Sequence, residues 1–315
     1  ICKIKVTFDV PALPEGKIFS VSPEITGTSI SEKIGMIQNI LKDRKADYFL
    51  FSALDEIAWL YNIRGNDIAY NPVAISYAIV GREKSHLFIK PSKVGKETAL
   101  QLGQANIEIH DYHHLFLFLE QLEKGKHFCI DTTSLNYAVF HKLTSLFVLE
   151  EVSSPVILAK ALKTEKEIEG FRKACLKDSV AMTKFFYWLY HNIDNQLTET
   201  EVSGCLTAFR SQNEGYVSDS FENISAYGKN AALPHYSATP GQDAILEPRG
   251  LYLVDSGAQY THGTTDITRT IPLGDLTRQE KEDYTLVLKG MIALSQCIFP
   301  KGTCGCNLDV LARQP

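Results

Sequence analysis

The 315 residues, 44% of them hydrophobic, suffice for two domains of ordinary size, each with its own core. Against 37 acidic side chains stand 32 basic ones, a net charge of -5 with no dense Lys/Arg stripe, which argues against a nucleic-acid partner. No apolar run approaches the ~20 residues of a membrane span, and the opening ICKIKVTFDV lacks the features of a signal peptide, so no membrane association and a soluble, cytoplasmic protein are expected.

In chain order, Pro11, Pro14 and Pro23 mark residues 1–27 as a connector with few periodic apolar positions. Ser29 and Glu32 then form a capping box ahead of Ile30, Ile34, Ile37, Ile40 and Leu41, the apolar stripe of a core-facing helix. Short β-rich runs follow at 48–51, 76–80, 87–89 and 128–130, with a helical pattern over 52–61 between the first two. This alternation predicts an α/β domain over 28–154 with a mixed or parallel sheet. Ser153, Ser154 and Pro155 break the pattern and place a boundary near residue 154.

Beyond it, Thr164 with Glu167 caps a long helix carrying Ile168, Phe171, Cys175, Met182, Phe185 and Leu189. Thr198 with Glu201 caps a second, bearing Val202, Leu206 and Phe209; Thr277 with Glu280 caps a third, bearing Tyr284, Leu288, Met291 and Leu294. Strand-like stretches at 221–227 and 251–271 lie between the last two, so residues 155–315 read as an α+β unit of helices on an antiparallel sheet. The first residue is Ile rather than Met, and LDVLARQP stops inside a helical pattern; both ends are expected to be cut.

The chemistry concentrates in RGLYLVDSGAQYTHGTTDITRTIPLG, which reads as a hairpin with Asp255 on one strand and Asp266 on the other. Pairing symmetric about Tyr260 and Thr261 sets the two aspartates directly opposite on one face, where a divalent cation relieves their repulsion. Hard oxygen ligands suit manganese, magnesium or zinc, and bridging carboxylates can hold two ions for hydrolysis. The plainer reading makes Asp255 a turn-entry residue and Asp266 part of a solvated strand face. His235, on the Gly/Pro-punctuated loop AYGKNAALPHYSAT, could donate to a substrate carbonyl or be simply exposed. His110, His113 and His114 read as a surface cluster without a matching carboxylate pair. The seven cysteines read as free thiols in a reducing compartment, and Cys304 and Cys306 near Cys297 lack the second pair of a soft-metal site.

The segment VDSGAQYTHGTTDITRT resembles the one that supplies the first two metal ligands in the Xaa-Pro aminopeptidase (aminopeptidase P) family. The run SALDEIAWLYNIRGNDIAYNPVAISYAIVG resembles the middle domain of that family's three-domain cytosolic type. The resemblance implies a creatinase N-terminal-like α/β domain, then an incomplete pita-bread (creatinase/aminopeptidase) domain over 155–315. It implies that Asp255 ligates one metal, that Asp266 bridges both, and that His235 contacts the substrate near its scissile bond. The ions would be manganese, with zinc the other candidate. A histidine and two glutamates expected beyond Pro315 would complete the ligand set, so this chain alone is expected to be inactive. Peptides with proline at the second position would be the substrates, and a homodimer is a further expectation. A prolidase or methionine aminopeptidase relative, or a non-catalytic binding module of the same fold, is the alternative.

Overall fold

The computed structural model describes residues 12–315, so Pro11 and the ten residues before it, part of the expected connector, lie outside it. The rest of that stretch is packed: β1 (Phe19–Ser20) pairs antiparallel with β3 (Ile63–Arg64), and Ile18 and Val21 are buried. α1 (Pro23–Thr26) starts on Ser22, whose hydroxyl accepts the Glu24 N–H. It closes on Gly27 at φ +69°, a left-handed conformation that glycine adopts freely.

The Ser29–Glu32 capping box forms and opens α2 (Ile30–Asp43). Ile30, Ile34, Ile37 and Leu41 are buried as expected, but Ile40 is half-buried and Lys33 takes the inner face instead. The Lys33 ammonium donates to Trp59 O (2.9 Å) and Asn62 Oδ1 (2.6 Å), and burial lowers its pKa to about 8. There follow β2 (Tyr48–Phe51), α3 (Leu54–Leu60), β4 (Tyr77–Gly81), β5 (Ser85–Phe88), α4 (Lys96–Gln104), β6 (Ile107–His110) and α5 (Leu115–Gln121). Next come β7 (His127–Ile130), α6 (Tyr137–Leu146), β8 (Val148–Glu151) and α7 (Pro155–Ala161), the last capped by Ser154.

Six of these strands form one mixed sheet in the order β6-β5-β4-β2-β7-β8. The β2–β4 and β4–β5 pairs are antiparallel, and β5–β6, β2–β7 and β7–β8 are parallel. Helices cover both faces, which is why β2 reads YFLF rather than alternating with polar residues. Phe49 and Phe51 enter a core with Ile37, Leu41 and Ile57, whereas Leu50 enters another with Phe88, Leu119 and Phe128.

The reciprocal Thr164–Glu167 bonds (2.8 and 3.1 Å) start α8 (Glu165–Asn192), and the Thr198–Glu201 box starts α9 (Glu199–Ser211). Then come β9 (Tyr216–Asp219), β10 (Ile224–Tyr227), β11 (Leu251–Ser256), β12 (Ala258–Tyr260), β13 (Gly263–Thr264) and β14 (Ile267–Pro272), followed by α10 (Arg278–Ser295) and α11 (Gly305–Arg313). The chain divides into two units. The first runs to Lys177 and takes in Gly215–Phe221 and Ala258–Thr265; the second comprises Asp178–Glu214, Glu222–Gly257 and Asp266–Pro315. In the first, β12 pairs with β9 and β13. In the second, β11 lies antiparallel between β10 and β14, and Met182, Phe185, Val202 and Leu206 of the helices bury Tyr252 and Val254 of β11.

This is the expected α+β arrangement, with two departures. Cys175 is exposed, because Ala174 and Asp178 occupy the inner face of α8. Asp178 there receives a fork from Arg210 Nε (2.8 Å) and Nη2 (3.0 Å), both side chains fully or nearly buried. On α10 the Thr277–Glu280 box forms, yet Tyr284, Leu288, Met291 and Leu294 are each at least 39% exposed. Among the described residues no helix is long and apolar enough to cross a membrane.

Candidate functional site

The three residues singled out in the sequence all fall in the second unit. Asp255 is half-buried on β11, flanked by Ile224 of β10 and Thr268 of β14. The expected register is corrected here: Asp255 lies opposite Thr268, not Asp266, because the turn is the pair Thr261–His262, with Tyr260 opposite Gly263. Gly263 is thus the first strand residue after the turn. Moving the centre by one residue moves each partner by two, and two is the period of side-chain direction in a strand. Asp266 lies just ahead of β14, two residues before Thr268, and so stands diagonal to Asp255 along the hairpin rather than opposite it.

The Thr268 hydroxyl donates to Asp255 Oδ1 at 2.7 Å, and Asp266 is exposed. Among the described residues neither carboxylate has a Lys, Arg or His partner within ion-pair distance, so no protein cation offsets their charge. Hard oxygen donors with no cationic side chain beside them are the kind that divalent cations take.

His235 is exposed in a turn with φ +56°, an unusual conformation for a residue with a β-carbon. Its loop is held from below by a residue the sequence reading passed over. Glu199, the first residue of α9, is fully buried. Its carboxylate accepts Tyr227 N–H (2.6 Å), Asn230 Nδ2 (3.1 Å to each oxygen), Tyr236 O–H (2.7 Å) and Ala244 N–H (3.0 Å). Desolvation, and then the bond to Glu199, push the Tyr236 phenol up to about 12, so it remains a donor at neutral pH. The far end of the loop is tied to the same helix: Asp243 accepts the Thr200 N–H (3.0 Å), and its carboxyl, beside the Thr200 side chain and backbone, is lowered to about 2.

Elsewhere, in the first unit, a hollow of about 300 Å³ is lined by residues including Trp59, Arg64, Phe171, Gln259, Tyr260 and His262, and holds none of the three predicted residues. Of the expected histidine cluster, His113 and His114 are exposed, while His110 meets His86 and Glu108 instead.

Residues 9–167 match the creatinase/prolidase N-terminal domain, and residues 169–315 match metallopeptidase family M24. The chain belongs to the creatinase/prolidase family, with an M24 region following the N-terminal domain. It is 41% identical over 316 residues to a Sordaria macrospora protein named "Probable Xaa-Pro aminopeptidase P", covering 96% of this chain and 52% of that one. A Neurospora crassa protein of the same name is 40% identical, covering 96% and 46%. Among solved structures, the Caenorhabditis elegans X-prolyl aminopeptidase, described as a cytosolic enzyme with a di-nuclear active site, superimposes with a TM-score of 0.86 at 34% identity over 97% of this chain and 51% of that one. Prolidase from Pyrococcus horikoshii follows the fold with a TM-score of 0.65 at 25% identity, covering 90% and 76%. The chain thus spans about half the length of the curated relatives it matches.

Proposed function

We propose that the whole protein containing this chain is a metal-dependent aminopeptidase that releases an N-terminal residue when proline follows it. The observation that carries the reading is the pair Asp255 and Asp266, diagonal to one another along a hairpin and, among the described residues, without a Lys, Arg or His within ion-pair distance. Asp255 would ligate one ion and Asp266 bridge two, with a histidine and two glutamates from the remainder of the protein completing the set. Two divalent ions held there, manganese or else zinc, would supply an activated water for hydrolysis.

This chain's own residues do the rest. Thr268 fixes the free rotation of the Asp255 carboxylate through its 2.7 Å bond. His235 donates to the scissile carbonyl, a bond that strengthens as charge develops on the oxygen. The bonds from Tyr236 and Ala244 to Glu199 anchor the loop that carries His235. A cytoplasmic setting accords with the free cysteines among the described residues.

The test is peptide cleavage by the whole protein, comparing Xaa-Pro-Yaa tripeptides, Xaa-Pro dipeptides and Met-Ala peptides. Release of the first residue from the tripeptide supports the reading; cleavage of the dipeptide alone replaces it with a prolidase. Metal analysis after dialysis tests the ligands: Asp266→Asn should lose dinuclear binding, because an amide cannot bridge two cations as a carboxylate does. Two manganese equivalents retained would count against the bridging role.

A further inference from the structure

We propose that His86, Glu108 and His110 form a mononuclear zinc site at the edge of the six-stranded sheet, sharing no residue with the Asp255 and Asp266 pair. The parallel β5–β6 register sets His86 beside Glu108 and Phe88 beside His110, so all three side chains leave the same face of the sheet. Three donor atoms converge there. His86 Nδ1 lies 3.0 Å from His110 Nε2 and 3.5 Å from Glu108 Oε2, and His110 Nε2 lies 3.9 Å from that same oxygen. A point equidistant from atoms at those separations is ~2.0 Å from each, the length of zinc bonds to imidazole nitrogen and carboxylate oxygen.

The surroundings hold the donors in that aim. Phe118 packs 4.6 Å from the His86 ring and Phe88 stacks 4.9 Å from the His110 ring. Lys84 takes the other oxygen of Glu108, Oε1, and so leaves Oε2 turned toward the imidazoles. An imidazole-to-imidazole hydrogen bond accounts for the 3.0 Å separation by itself, but not for Oε2, which stands too far from one ring and at the outer limit from the other to accept well. A cation between the three satisfies all of them. His86 is buried, whereas Glu108 and His110 are open to solvent, which provides an entry path and a fourth position for water. Two imidazoles and one carboxylate favour zinc, or cobalt in its place, over the manganese or magnesium that oxygen-only sites take.

The experiment uses the 315-residue chain, stripped with chelator and refilled with zinc or cobalt(II). An Asp255→Asn/Asp266→Asn double variant should retain one zinc equivalent after dialysis, and its cobalt form should show the intense visible absorption of a four-coordinate ion. His110→Ala and Glu108→Gln, both partly exposed positions, should each weaken zinc by more than ~10-fold with unchanged circular dichroism. The proposal is overturned if the double variant retains no zinc, if its cobalt form absorbs only weakly, or if zinc affinity survives both single substitutions.

Discussion

Replacing Glu199 with alanine removes the acceptor for four donor groups at once: the Tyr227 and Ala244 N–H groups, the Asn230 amide and the Tyr236 hydroxyl. An orphaned buried donor costs ~1–3 kcal/mol, and because these four are half-buried, water reaches them and the low end applies. The expected loss is therefore ~3–5 kcal/mol, among the largest that a single substitution produces. Glu199→Gln keeps one carbonyl oxygen but turns an NH2 group toward other donors, and should lose roughly half as much. Urea unfolding measures it, followed by Trp188, which packs on the core of the second unit, in a Trp59→Phe background that silences the first unit. A Glu199→Ala chain within ~1 kcal/mol of the parent, with unchanged denaturant slope, would refute the argument.

In the whole protein, His235→Ala should lower kcat ~10²–10³-fold with little change in KM, and a kcat within threefold of the parent, roughly the noise of such assays, would remove the role assigned to it. Lys33 gives a pH dependence whose sign is fixed: its folded pKa, about 8, lies below the unfolded value of ~10.4, so the unfolded state binds more protons between them. Stability relative to Lys33→Met should thus rise by on the order of 2–3 kcal/mol from pH 7 to pH 11, and a flat difference would contradict the burial of this ammonium. Arg210→Ala should destabilise the second unit by ~3–5 kcal/mol by stranding the Asp178 carboxylate, whereas Asp178→Leu with Arg210→Met should recover most of the loss; equal losses would refute the reasoning.

What the sequence disclosed was local. The four capping boxes, Ser29–Glu32, Thr164–Glu167, Thr198–Glu201 and Thr277–Glu280, need only residues three apart, and each starts a helix where expected. Strands β6 and β8 were not read, because IEIH and VLEE carry glutamates where the runs that were read are mostly apolar, and their places at opposite edges of the sheet depend on pairings with distant segments. The hairpin register missed by one residue at its centre, since Thr261–His262 carries none of the Asn-Gly chemistry that marks a two-residue turn. Glu199 was hidden for a different reason: Glu201 explained the cap, and the donors that Glu199 serves lie 28 to 45 residues further on. The partner of His110 was hidden likewise, for it meets an imidazole 24 residues away on the neighbouring strand.

Because β2 sends Phe49 and Phe51 into one core and Leu50 into the other, the two cores have a strand in common and cannot melt separately. Its neighbours on either side are β4 and β7, so the backbone amides of residues 48–51 are shielded by ladder bonds as well as by packing. Local fraying at the β6 or β8 edge exposes neither. In deuterated water these amides exchange only when the whole first unit opens, which makes their protection factors a direct gauge of that unit's global stability, while the edge strands report the cheaper openings.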